Sequence, residues 1–156
     1  MKALIAAGAV ALCLAPVFAE QKAVMTPATG TFDVKLAPAG NDSTPEGPNL
    51  GRMSIDKQFK GDLDGVSKGE MITAAGITVK ESAAYSAVER VTGTLHGKKG
   101  SFALQHTGIM DRGKPSLTIT VVPDSGTGEL VGLTGRMDII IEGGKHSYVF
   151  EYALPK

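Results

Sequence analysis

Apolar and polar residues alternate with a period of two along most of this chain. Phe32, Val34 and Leu36 share one face of Thr29–Leu36, and Met53, Ile55, Lys57 and Phe59 share one face of Gly51–Lys60. Successive strand side chains point to opposite faces of a sheet, so the pattern predicts half-buried strands. Further strands are expected at Val66–Thr73, Phe102–Thr107, Leu117–Val122, which is β-branched and apolar, Met137–Ile141 and His146–Leu154, the last with Tyr148, Phe150 and Tyr152 inward. Turn signals separate these runs: Asp62-Leu63-Asp64-Gly65, His96 to Gly100, Asp111 to Pro115, and Gly143-Gly144. The His96–Gly100 turn is expected to pair Val91–Leu95 with Phe102–Thr107. Ala37–Asn49, with three prolines and two glycines, predicts a loop. One stretch reads two ways. Val79, Ala83, Ala87 and Val91 recur every four residues as on a helix, whereas Tyr85, Ala87, Glu89 and Val91 alternate as on a strand. Short strands at regular spacing with glycine turns predict an all-β sandwich or barrel, and closure into a barrel removes edge strands.

Three ionisable residues interrupt the apolar faces. Lys57 lies among Met53, Ile55 and Phe59; Glu89 lies among Tyr85, Ala87 and Val91; His106 follows Phe102 and Leu104. An apolar face cannot turn inward without its charged member, and a buried charge is costly unless paired. Lys57 therefore has three readings: snorkelling to a barrel rim, a structural ion pair with Glu89 or Glu70, or a ligand-binding cation. Glu89 carries the same choice between pairing and proton transfer, and His106 that between a hydrogen-bonded core histidine and a catalyst. Tyr148 and Tyr152 are either core packing or a pocket wall whose hydroxyls meet a ligand. Lys57, Glu89, His106, Tyr148 and Tyr152 are the candidate ligand-binding residues, with the charges expected inside the barrel and a tyrosine nearby.

The first residues set the compartment. Met1-Lys2, the apolar run Ala3–Leu14 and the small-x-Ala pattern Val17-Phe18-Ala19 form a secretory signal peptide over residues 1–19, cut before Glu20. A polar leader over 20–28 and one β domain over 29–156 are expected to follow, in the periplasm or outside the cell. Cleavage removes Cys13, the chain's one cysteine, so the mature protein has no disulfide, thiolate nucleophile or Cys-ligated zinc. It also removes Lys2, leaving 15 basic residues against 16 acidic ones. Near-neutral charge gives no electrostatic footprint for nucleic acid or an anionic membrane. With no tryptophan and 5% aromatic residues, the core must be mostly aliphatic.

The familiar catalytic signatures are absent. His96, His106 and His146 do not fall at ligand spacing on one element, so neither metal nor cofactor is expected. His96 sits in a predicted turn and is expected in solvent, and His146 near a barrel mouth. Gly126-Thr127-Gly128 is not followed by the lysine of a phosphate loop, and Ser125 lacks a G-x-S-x-G context.

The runs Val91-Thr92-Gly93-Thr94-Leu95-His96-Gly97 and Gly100 to His106 resemble a bacterial domain-of-unknown-function family, number 3224. So do Val121 to Leu130 and Gly144 to Tyr148. The resemblance spans about Thr29 to Leu154. It implies a closed antiparallel barrel of about eight strands, similar to allene oxide cyclase, and it implies that Tyr85–Leu95 is strand. The segment from Gly126 to Gly135 is similar to the Gly-Thr-Gly turn of those barrels. The family carries no assigned reaction. Two functional classes follow. One is an exported binding module that holds a small apolar or amphipathic molecule or associates with its own copies. The other is an enzyme of cyclase or isomerase type using Lys57, Glu89 and His106. Fold likeness alone does not choose between them.

Overall fold

The computed structural model describes residues 24–42 and 47–155. Eight strands follow one another: β1 (Thr26–Asp42), β2 (Leu50–Gly61), β3 (Leu63–Ala75), β4 (Ala83–Leu95), β5 (Lys98–Asp111), β6 (Lys114–Val121), β7 (Thr134–Glu142) and β8 (Lys145–Ala153). A single 3₁₀ turn at Gly128–Leu130 lies between β6 and β7. Each strand pairs antiparallel with the next, and β8 pairs back onto β1, closing an eight-stranded barrel. The sandwich alternative falls away. The ambiguous stretch is β4, paired along its length with β3 and β5. Every fourth residue of a strand also shares a face, so Ala87 and Val91 fit both patterns and point inward.

Several boundaries move. The signal peptide over 1–19 lies outside the described residues. β1 begins inside the stretch read as leader: Ala28 is fully buried and pairs with Phe150. β1 also continues to Asp42, through residues expected to form a loop. Beyond Phe32 it pairs with β2 alone, and a bulge between Pro38 and Gly40 absorbs the proline on that one-sided segment.

The turns are tighter than the sequence suggests. Leu63 already opens β3 and is buried, so the chain reverses at Gly61-Asp62. There the Asp62 carboxylate accepts the Thr29 N–H at 2.8 Å. The β4–β5 reversal uses only His96 and Gly97, at φ 46° and 80°. Positive φ at both central residues gives the turn twist that matches a hairpin. Val91 therefore faces Phe102, and Leu95 faces Lys98 rather than the Phe102–Thr107 segment.

The two poles of the barrel differ. At one, the reversals after β2 and β4 meet the 122–133 connection, and Leu63, Leu95, Phe102, Leu130, Leu133, Met137 and Phe150 fill the interior. Phe102 stacks on Phe150 with ring centroids 5.7 Å apart. The other pole is open. β6 and β7 share a single paired position, Thr120 with Arg136, so the wall parts above it. β8 begins at Lys145, next to the residue facing Phe32, and leaves the upper half of β1 without a neighbour on that side.

Candidate functional site

The charged members of the apolar faces meet inside the barrel. Lys57 of β2 donates from Nζ to Glu89 Oε1 at 2.7 Å. His106 Nε2 of β5 lies 2.9 Å from the same oxygen. Ser67 of β3 donates from Oγ to the other oxygen, Oε2, at 2.6 Å. All four residues are buried, and the Glu89 side chain is fully so. Of the two carboxylates considered as partners for Lys57, the other, Glu70, lies outside the barrel and pairs with Arg52 at 2.9 Å.

The meeting runs along the wall rather than across the interior. β2, β3, β4 and β5 are consecutive, and Lys57 sits directly opposite Ser67. Lys57 and Glu89 belong to strands separated by β3, whose facing residue is Gly69. A Cβ on Gly69 would lie 2.6 Å from the Glu89 Cα and Cβ. The bare glycine leaves the gap through which lysine and glutamate reach each other. The four polar residues thus form one wall, on β2–β5. The other strands contribute mainly apolar side chains to this part of the interior, among them Phe32, Ile119 and Ile139.

Burial by itself would raise the Glu89 pKa. The His106 hydrogen bond, the Lys57 charge and the hydrogen bonds from Lys57 and Ser67 outweigh it and hold the carboxyl at about 2. Glu89 is therefore ionised at neutral pH and can only accept. His106 must then present Nε2–H to it, which leaves Nδ1 as the free ring nitrogen. Nδ1 has no hydrogen-bond partner among the described residues. An ammonium has three N–H donors. Glu89 takes one from Lys57, and no second acceptor lies within reach among the described residues. The Lys57 nitrogen stands 5.2 Å from the Phe32 ring centroid and 5.8 Å from that of Phe59.

Above this layer lies a cavity of about 500 Å³, open at the unfilled pole. Lys57 and His106 form its polar floor; Val34, Leu36, Ile55, Met71, Ile139 and Leu117 are among its walls. Tyr85 also lines it, and burial followed by the Glu89 charge raises its phenol pKa. Its ring lies over Gly108 of β5, where a Cβ would collide with the ring. His146 lines the mouth, as its place at the start of β8 suggested.

Tyr148 and Tyr152 do not join this site. The Tyr148 hydroxyl accepts the Leu63 N–H at 2.9 Å and donates to the Leu63 carbonyl at 3.3 Å. Tyr152 reaches His96 Nδ1 at 2.8 Å, so that histidine, half-exposed in its turn, is engaged rather than free in solvent. Both tyrosines do point inward, but they sit toward the filled pole, because alternation fixes the face of a strand residue and not its height. Ser67 and Tyr85 were missed as site members. Tyr85 was visible four residues before Glu89 on one face, while Ser67 carried no signal beyond facing inward. Among the described residues no three His, Cys, Asp or Glu side chains stand close enough to hold a metal ion.

Comparison with known proteins agrees with the architecture. No curated protein matches the chain. A crystal structure of a protein of unknown function from the DUF3224 family of Shewanella oneidensis MR-1 is 49% identical, with a TM-score of 0.79. The match covers 85% of this chain and 100% of that one. The model of the family described as "Protein of unknown function (DUF3224)" matches residues 28–152. The likeness to allene oxide cyclase rests on the sequence resemblance alone. This barrel, with its buried Lys57–Glu89–His106 wall, belongs to the DUF3224 family.

Proposed function

We propose that the protein is an exported binding module that holds one small amphipathic molecule in the open half of its barrel. The cavity of about 500 Å³ carries the reading. Small-molecule sites are concave, mostly apolar, and supplied with a few converging polar groups. Here the apolar walls converge on Lys57 and His106. Export rests on the leader sequence at residues 1–19 and applies to the mature chain from Glu20.

One observation favours the enzymatic alternative. Glu89 fixes the His106 ring and leaves Nδ1 free, beside a lysine cation that could stabilise an oxyanion. That arrangement suits proton transfer next to a carbonyl group. Binding is the simpler reading, because any such reaction first requires a molecule in this cavity.

Native mass spectrometry of protein purified from its own compartment tests the proposal, together with uptake of an apolar fluorescent dye. A copurified small molecule, or saturable dye binding that Met71→Trp blocks by filling the cavity, is the expected result. A barrel that carries no ligand and takes up no dye would overturn it. N-terminal sequencing of the same material should start at or near Glu20, and a start at Met1 would remove export from the proposal.

A further inference from the structure

The floor of the cavity is unbalanced in its hydrogen-bonding groups. Glu89 is already engaged at both oxygens, Oε1 by Lys57 and His106 and Oε2 by Ser67. Lys57 has two N–H donors without an acceptor among the described residues. Tyr85 adds a hydroxyl that takes no side-chain or backbone partner there. The residues that β1, β6 and β7 contribute to the cavity include no carboxylate. In the open cavity these donors face solvent, and an acceptor entering from outside can take the place of that water. What the site lacks is a head group that accepts.

Charge narrows the choice of acceptor. The Lys57 and Glu89 charges cancel, so an ionised carboxylate entering alone would leave a buried net negative charge. His106 is placed to prevent this. Its Nε2–H is held by Glu89, and Nδ1 can take a proton from solvent and become a second donor to the head group. Two cations then face two carboxylates. The other titratable groups facing this position are Tyr85 on β4 and His146 on β8 at the mouth, and neither brings a negative charge at neutral pH.

We propose that the cavity takes a monocarboxylate amphiphile, its head between Lys57 Nζ and His106 Nδ1, and that one proton enters with it onto His106. The apolar tail then runs along Val34, Met71 and Ile139 toward the parted β6–β7 wall. No covalent bond forms or breaks. This rests on the reading of the barrel as a small-molecule binder and names the class of ligand.

Isothermal calorimetry on the mature chain tests it with decanoate, decanol and decylamine as probes. The titrations are run near pH 8, where free imidazole is neutral, in two buffers of different ionisation enthalpy. Decanoate should bind roughly tenfold or more tightly than decanol, and decylamine more weakly than either. The buffer dependence of the heat should report uptake of about one proton with decanoate and none with decanol. His106→Gln, which keeps a donor toward Glu89, should weaken decanoate binding and abolish the proton uptake. If decanol matches decanoate, the carboxylate proposal fails while the cavity still binds. Unchanged proton uptake in His106→Gln removes His106 from it. If no probe binds, and no apolar dye either, the binding reading fails as well.

Discussion

Glu89→Gln tests how the interior charges are held. The substitution keeps the shape and an oxygen that can accept from Lys57 and His106, and the Ser67 hydroxyl can turn to accept from the new amide. What disappears is the negative charge beside a lysine that is 6% exposed. Stranding one member of a buried pair costs about 3–5 kcal/mol. Lys57→Met should cost a similar amount, about 3–5 kcal/mol, because it leaves the Glu89 carboxylate buried without its cation. The double variant Lys57→Met/Glu89→Gln leaves no charge unpaired. It should cost less than the sum of the single changes by about 1.5 kcal/mol or more. Urea unfolding followed by far-ultraviolet circular dichroism measures all three, since the chain has no tryptophan to report by fluorescence. Additivity to within about 0.5 kcal/mol would mean that the two residues act independently and would refute the pairing argument.

Acid unfolding should show the same carboxylate. The Glu89 pKa lies at about 2 in the fold against 4.5 when free, so its contribution of about 3 kcal/mol is complete above about pH 4.5 and is lost as the pH falls toward 2; an acid limb unchanged in Glu89→Gln would contradict this. Gly108→Ala places a methyl group against the Tyr85 ring and should cost about 1–3 kcal/mol while changing dye uptake, and an unchanged melting temperature would show that the ring moves freely. Tyr148→Phe leaves the buried Leu63 N–H without its partner and should destabilise by about 1–3 kcal/mol without altering ligand retention, whereas loss of ligand would return Tyr148 to the site.

Alternation carried most of what the sequence could say. It placed Lys57, Glu89 and His106 inside, because period two fixes the face of every residue once one face is buried. It left β4 undecided, since Ala87 and Val91 satisfy a helix and a strand equally. It also misplaced the turns: His96-Gly97 needs only two residues, and a polar run such as Lys98-Lys99-Gly100 looks like turn although it is paired strand. What alternation cannot give is height along the barrel. Tyr148 and Glu89 both point inward, yet one is tied to Leu63 and the other to the cavity floor, according to a register that only pairing defines. Nor does a strand pattern announce an empty interior. The cavity depends on where β6 and β7 part and where β8 begins, which are features of neighbouring strands rather than of any one of them.

The same geometry explains why a charged layer is tolerable at all. Lys57, Ser67, Glu89 and His106 lie at the boundary between a packed half and an open half. Below them, Phe59, Leu63, Phe102, Phe150, Leu130 and Leu133 bury apolar area beside the Tyr148 and Tyr152 hydroxyls, both of which are hydrogen-bonded. Each such side chain contributes about 1.5–3 kcal/mol when buried. In the layer above this half the mutual hydrogen bonds of the wall offset the cost of burying the charges by engaging both Glu89 oxygens. A barrel evolved only to be stable would exchange Lys57 and Glu89 for aliphatic residues and fill the open pole, since replacing a buried ion pair by well-packed apolar groups is often neutral or favourable. The present chain keeps the pair, keeps a glycine between its members, and keeps a cavity above it. Those three features make sense together if the lysine and histidine are meant to meet something that enters from outside.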